Sequence, residues 1–233
     1  MFTCCDISGE SKKDKYWVIG SVWIPKDKLP KYAEAVFTYR LKEKIWGELK
    51  WSYITSQKVD EYTKFITLSF KNFPLDIQVI LLDKTVNKPK YYNNDLGKMF
   101  SATYYVLLKE QMKRLPTVTS LDIILDKESW IRDQSLNLKQ FLGSSFIKRG
   151  LNQKINHLSQ CDSKICPLSQ LCDIITGAIS AKWNQNLTYI SADKKIVIKC
   201  IEDNLNHSLT EQTPPNTKFN LWIMRPYGIS AKI

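Results

Sequence analysis

The apolar positions of this chain fall into short β-rich runs and longer stretches of helical spacing, which alternate along its length. Residues 1–6 (MFTCCD) form a short apolar run ending in an acid. Residues 15–25 (KYWVIGSVWIP) are rich in β-branched and aromatic side chains and stop at a proline, so the two runs predict a hairpin across the Ser-, Gly- and Lys-rich stretch between them. Residues 26–44 take up helical spacing, with Leu29, Tyr32, Ala33, Val36, Phe37 and Leu41 on one side. A turn over 45–51 (IWGELKW) precedes a second helix over 57–70 and a strand over 75–83 (LDIQVILLD). The pattern then predicts a helix over 94–113 and a strand over 121–126 (LDIILD) that again ends in an acid. A helix over 138–149 and a short strand over 153–160 follow.

Residues 167–191 (PLSQLCDIITGAISAKWNQNLTYIS) read as a long helix whose only charged side chains are Asp173 and Lys182. Leu168, Leu171, Cys172, Ile175 and Ile179 fall on one face, and Gln170, Asp173, Gly177, Ser180 and Asn184 on another. A solvated face would carry several Lys and Glu residues. This one is small and polar, which suits a helix pressed close to a neighbour with one carboxylate aimed at it. Buried unpaired charge is costly, so Asp173 calls for a cation, a donor or a metal. A bridge to an Arg or Lys of a neighbouring element is the plain alternative. A lysine-bearing helix over 192–206, a proline-containing loop, an apolar strand over 219–224 (FNLWIM) and Arg225 complete the chain. With no repeat, low-complexity tract or linker, residues 1–233 predict a single α/β domain, its helices flanking a mixed central sheet.

Composition narrows the partners. The 233 residues are 43% hydrophobic, enough for a sizeable core, and the longest apolar runs (77–82 and 18–24) are far too short to span a bilayer. The first residues lack a basic segment and a long apolar segment, so no signal peptide is visible and a cytoplasmic protein is expected. A net charge of +11, from 34 Lys and Arg against 23 Asp and Glu, favours a polyanion such as nucleic acid. The cations are spread out, in groups such as Lys12, Lys13 and Lys15, or Lys84, Lys88 and Lys90, or Lys148, Arg149 and Lys154, and ordinary solubility charge would also explain them. Cys161, Cys166 and Cys172 lack the spacing of zinc ligands, and the six cysteines read as reduced thiols, several of them core fillers.

The acids carry the candidate chemistry. Asp6 and Asp126 end apolar strands, and in α/β sheets ligands bind at strand carboxyl ends. Glu48 sits in a turn between Trp46 and Trp51, and Asp173 on its helix. Such acids converging from separate elements make a hard-oxygen site for Mg²⁺ or Mn²⁺. Two such ions about 4 Å apart can activate a water and stabilise the leaving oxygen of a phosphodiester. The order Asp, Glu, Asp, then an acid on a late helix is the arrangement of the RNase H-like fold. Each acid also has a simpler reading: Asp6 as a turn cap, Asp126 as the opening of a loop, Glu48 as the partner of Lys50.

Four segments resemble the bacterial and phage domain-of-unknown-function 3800 family, which has an RNase H-like fold. Residues 6–11 (DISGES) are similar to its DESG opening, and 47–51 (GELKW) to its E-x-K segment. Residues 124–129 (ILDKES) match its strand-ending aspartate, and 162–180 (DSKICPLSQLCDIITGAIS) resemble its most distinctive block. The resemblance implies Asp6, Glu48, Asp126 and Asp173 as catalytic metal ligands. It implies Lys50, Ser163, Lys164 and Gln170 as accessory, substrate-binding groups. Lys50 or Lys164 would hold a phosphate, and likeness to RNase H implies 5′-phosphate and 3′-hydroxyl products. Ile7 departs from the pattern, standing where an acid usually follows the first aspartate. If that acid supplies a ligand or a base, activity here is weakened or lost; if it tunes the electrostatics, Asp6 suffices. The expected function is therefore a metal-dependent nuclease. The alternatives are a nucleic-acid-binding module that no longer cuts, or an interaction protein of a mobile element or defence system, with some of the seven tryptophans at its surface.

Overall fold

The structure is a computed structural model that describes residues 1–88, 90, 93–126, 135–148, 150, 154–185, 187–214 and 217–224. Strands β1 (Phe2–Ser8) and β2 (Tyr16–Ile24) form the expected hairpin, and its turn is closed by Gly9 at φ +81, a conformation costly for a side chain. Lys84 braces the same turn, donating to the carbonyls of Gly9 (2.6 Å) and Ser11 (2.7 Å). Helices α1 (Leu29–Lys42) and α2 (Val59–Asn72) lead to β3 (Asp76–Asp83). Then come α3 (Leu96–Arg114), β4 (Ser120–Asp126), α4 (Ser135–Lys148), β5 (Lys154–Cys161), α5 (Pro167–Asn184), α6 (Ala192–Leu205) and β6 (Phe219–Met224).

The six strands make one sheet in the order β5-β4-β1-β2-β3-β6. β2 runs antiparallel to β1 and β3, while the β1–β4, β4–β5 and β3–β6 pairs are parallel. Side chains alternate across the sheet, so one strand feeds two cores. Cys4, Val18, Val22 and Ile24 pack under α1, α2, α5 and α6. Cys5, Ile7, Ile19, Trp23 and Ile80 pack under α3 and α4, against Tyr104, Leu107, Leu142 and Phe146. A mixed α/β sheet flanked by helices on both faces is the fold the sequence pattern predicts.

Three expectations change. The buried stripe of α1 is Tyr32, Val36 and Tyr39, leaving Phe37 63% and Leu41 48% exposed, although their spacing put them on the core side. The rotation is set by the tyrosines: Tyr32 bonds Ser69 (3.2 Å) and Tyr39 donates to the Glu61 carbonyl (2.6 Å), both on α2. β1 continues to Ser8, so Asp6 lies inside the strand and not at its end. α5 stops at Asn184 instead of running to 191, because the Asn184 amide clasps the backbone of Tyr16: its Oδ1 accepts the N–H at 2.8 Å and its Nδ2 donates to the C=O at 3.0 Å. Arg149, Gln153, Arg225 and the two residues after Asp126 lie outside the described residues.

Candidate functional site

The site grows from one rung of the sheet. β1 and β4 are parallel with Cys5 beside Leu125, so the next residues along, Asp6 and Asp126, are neighbours. On the other side Asp6 pairs with Gly20 of β2. A Cβ on Gly20 would stand 2.3 Å from the Thr176 Cγ2, so the glycine is what lets α5 descend here. The Thr176 hydroxyl then reaches Asp6 and donates to its Oδ2 at 2.6 Å, while the Cys172 carbonyl of the preceding turn lies 2.9 Å from the Thr176 Oγ1.

One turn earlier on α5, Asp173 receives a second element. The segment from Glu48, extended at Lys50, runs into a short 3-10 turn at Trp51–Tyr53, and its successive N–H groups point to opposite sides. Leu49 N–H donates to Gln170 Oε1 (3.3 Å) and Trp51 N–H to Asp173 Oδ2 (2.6 Å), both from α5. Lys50, pointing the other way, exchanges its N–H (3.1 Å) and C=O (2.8 Å) with the Tyr62 hydroxyl of α2. The small, polar face of α5 is thus pressed against a neighbour, as its composition predicts. Gly177 is needed for this: a Cβ there would lie 2.3 Å from the Trp51 Cγ. Lys194 covers the Trp51 ring at 4.9 Å from its centroid.

A short turn at Ser163–Ile165 closes the site. The Ser163 hydroxyl donates to Glu48 Oε1, and Gln170 Nε2 donates to the carbonyls of Ser163 (2.9 Å) and Lys164 (3.3 Å). Lys50 Nζ stands 3.9 Å from the same Glu48 oxygen, so the simple Glu48–Lys50 pairing exists within the cluster.

Electrostatics tie the four acids together. Burial pushes the Asp6 carboxyl well above the usual carboxylate range, and the charges of Asp173 and Asp126 push it further, against the pull of the Thr176 hydrogen bond. Burial likewise raises Asp173, to about 6; the Trp51 N–H and Lys50 pull it down, while Asp126 and Glu48 push it up. Burial alone would lower Lys50, but Glu48, Asp173, Asp126 and Asp6 together raise it above its ordinary value. Asp6, Glu48, Asp126 and Asp173 therefore share one field, with carboxylates outnumbering the lysine set against them.

The fit to a divalent cation follows from the donor set. Buried and half-buried, mutually repelling carboxylates from separate elements are hard oxygen donors with negative charge left to neutralise. The expected cage is nevertheless not closed: among the described residues no group of three or more His, Cys, Asp or Glu side chains is placed to hold a metal ion. Asp6 is turned toward Thr176 and Asp173 toward Trp51.

The accessory residues divide. Ser163 and Gln170 are buried and engaged in the contacts above, so they position Glu48 and its segment, whereas the resemblance gave them to substrate. Lys164 is exposed, and Lys50 half-buried among the acids. Ile7 packs into the α3–α4 core, on the opposite face of the sheet from Asp6, so its side chain does not enter the cluster. Thr176 and Tyr62 join the site without belonging to the sequence-derived set. Thr176 sits three residues after Asp173, a spacing that marks a shared helix face; Tyr62 carries no such signal. All six cysteines are free, and Cys4, Cys5 and Cys172 are buried.

No protein-family model matches the chain, and no curated protein matches it. Strand order and mixed pairing are consistent with an RNase H-like α/β fold. Among the described residues no helix is long and apolar enough to cross a membrane.

Proposed function

We propose that the protein is a metal-dependent nuclease that hydrolyses phosphodiester bonds of nucleic acid. The observation that carries this reading is the field shared by Asp6, Asp126, Asp173 and Glu48, in which burial and mutual repulsion raise Asp6 and Asp173. On turning from Thr176 and Trp51 toward a common centre, these side chains would hold Mg²⁺ or Mn²⁺, which when bound would neutralise phosphate charge and lower the pKa of an attacking water. Lys50 stays protonated beside the acids and would steady a phosphate oxygen as charge builds on it. Exposed Lys164 would hold a neighbouring phosphate, and the net charge of +11 would draw in the polyanion. Ser163, Gln170, Tyr62 and Thr176 would keep the acids oriented. The motif likeness to the domain-of-unknown-function 3800 family agrees with this reading. Six free thiols suit a reducing, cytoplasmic compartment.

The test is cleavage of labelled DNA and RNA with Mg²⁺ or Mn²⁺, by wild type and Asp126→Asn. Metal-dependent product from wild type that disappears in a folded Asp126→Asn supports the assignment. Retained cleavage in that variant would sink it. Salt-sensitive binding with no metal-dependent product would instead assign the chain to the non-cutting nucleic-acid-binding module.

A further inference from the structure

Beside the carboxylates lies a groove of about 490 Å³ between α1 and the Ser163–Ile165 turn, within the size range of small-molecule sites. Its walls are apolar and open to solvent: Trp46 is 77% exposed and Ile165 78%, joined by the outward-facing Phe37 and Leu41 of α1. Large apolar side chains gathered at a surface mark a binding site more often than scattered ones do. The charged residues lining it, Arg40 and Lys164, are both cations.

Two walls of the groove are also walls of the acid cluster. Trp46 precedes Glu48 by two residues, and Lys164 and Ile165 follow Ser163, which donates to Glu48. The Trp46 loop is held in place. Arg40 donates from Nε to the Ile45 carbonyl (3.3 Å) and from Nη2 to the Gly47 carbonyl (2.7 Å), on both sides of the tryptophan. A platform fixed before binding loses little entropy when a ligand lands on it.

We propose that this groove takes an unstacked base of a single-stranded nucleic acid, with Trp46 as the stacking surface and the rim cations facing the backbone. The occupant must be flat and apolar in one part and anionic in another, which describes a nucleotide. In a duplex the base faces are covered by their neighbours, so the groove selects single strands or frayed ends. This deepens the nuclease reading by naming its substrate class, and it rests on that reading for the direction of the strand toward the acids.

The test is fluorescence anisotropy at low salt in EDTA, so that no cleavage contributes. The probes are labelled single strands of about twelve nucleotides, as DNA and as RNA, and the matching duplexes. Wild type is expected to prefer one of the single strands over its duplex. Trp46→Ala should weaken that binding about tenfold or more, and Trp46→Phe should restore most of it. Trp46 is exposed, so unchanged circular dichroism is expected in both variants. The proposal is overturned if wild type binds no single strand, if duplex binds as well, or if Trp46→Ala binds like wild type. It is also overturned if sedimentation shows a wild-type dimer that Trp46→Ala loses, which would give the groove to a second copy. Failure of metal-dependent cleavage would leave the anisotropy result standing. A Trp46-independent affinity would likewise leave the cleavage assignment standing.

Discussion

The backbone N–H of Trp51 donates to Asp173 Oδ2 at 2.6 Å, and the ring of the same tryptophan rests where a Cβ of Gly177 would be. One residue of an extended segment is thus held twice by one helix, through its backbone at Asp173 and through its ring one turn later. Glu48 and Lys50 are carried by that segment, so their position relative to Asp6 and Asp173 depends on how closely it lies on α5.

Gly177→Ala tests that dependence with opposed expectations. In a solvated helix, replacing Gly with Ala adds about 1 kcal/mol of stability. Here the new methyl would stand 2.3 Å from the Trp51 Cγ and 2.5 Å from its Cβ, so the tryptophan must move. Overpacking typically costs about 1–3 kcal/mol, enough to cancel or reverse the gain. Urea unfolding should show Gly177→Ala no more stable than wild type, with Trp51→Ala/Gly177→Ala recovering the helix benefit relative to Trp51→Ala. A clear gain from Gly177→Ala alone would show that the contact does not hold the segment.

Thr176→Val removes the donor to Asp6 while keeping the shape of the side chain. An ionised Asp6 would lose its hydrogen bond in a buried place, at about 1–3 kcal/mol. Asp6→Asn, uncharged, should lose much less from the same substitution. The double-mutant cycle in alkaline buffer, where the raised Asp6 carboxyl is ionised, is therefore expected to be non-additive, and additivity there would mean that the 2.6 Å contact carries little energy.

Much of this was legible in the sequence, for identifiable reasons. The two strands bearing Asp6 and Asp126 are legible as short apolar runs ending in an acid, and Asp173 stands out because Lys182 is the only other charge in its helix. That Asp6 and Asp126 are neighbours is a matter of strand pairing across more than a hundred residues, which local patterns suggest but do not determine. Spacing does not fix the rotation of α1, because Tyr32, Val36 and Tyr39 compete with Phe37 and Leu41 for the core, and hydrogen bonds to α2 decide it. The end of α5 depends on Tyr16, 168 residues earlier than Asn184. Tyr62, reaching Lys50 from another helix, leaves no trace in spacing.

The raised carboxyls make stability depend on pH in an unusual direction. The folded-state Asp173 titrates near 6 against an ordinary value of 3.8, and Asp6 shifts the same way. Between those values the folded protein binds more protons than the unfolded chain, so metal-free stability rises as pH falls from about 7 toward 4. Asp173→Asn keeps an acceptor for the Trp51 N–H and removes the buried charge. At pH about 8 it should be more stable than wild type, by up to about 3 kcal/mol, and the difference should shrink toward pH about 4. Denaturation of both proteins across this range checks it. A wild type that is the more stable protein at the alkaline end would contradict the assigned burial.

A divalent cation should reverse that dependence. It would bind the ionised carboxylates and not their protonated forms, so each proton that stabilises the metal-free fold opposes the metal. Binding only to the folded state adds about 2.7 kcal/mol when the free ion is at about a hundred times its dissociation constant. Millimolar Mn²⁺ is therefore expected to raise the melting temperature at pH about 8, to do so far less at pH about 5, and to flatten the acid stabilisation. Asp126→Asn should lose the shift at both pH values while staying folded, since Asp126 is half-buried at the end of β4. Thermal melts of the two proteins with and without Mn²⁺ decide the matter. An equal shift in the variant would place the cation elsewhere on the protein. No shift in wild type would leave Asp6 and Asp173 as structural carboxyls, their repulsion relieved by protonation instead of by a metal.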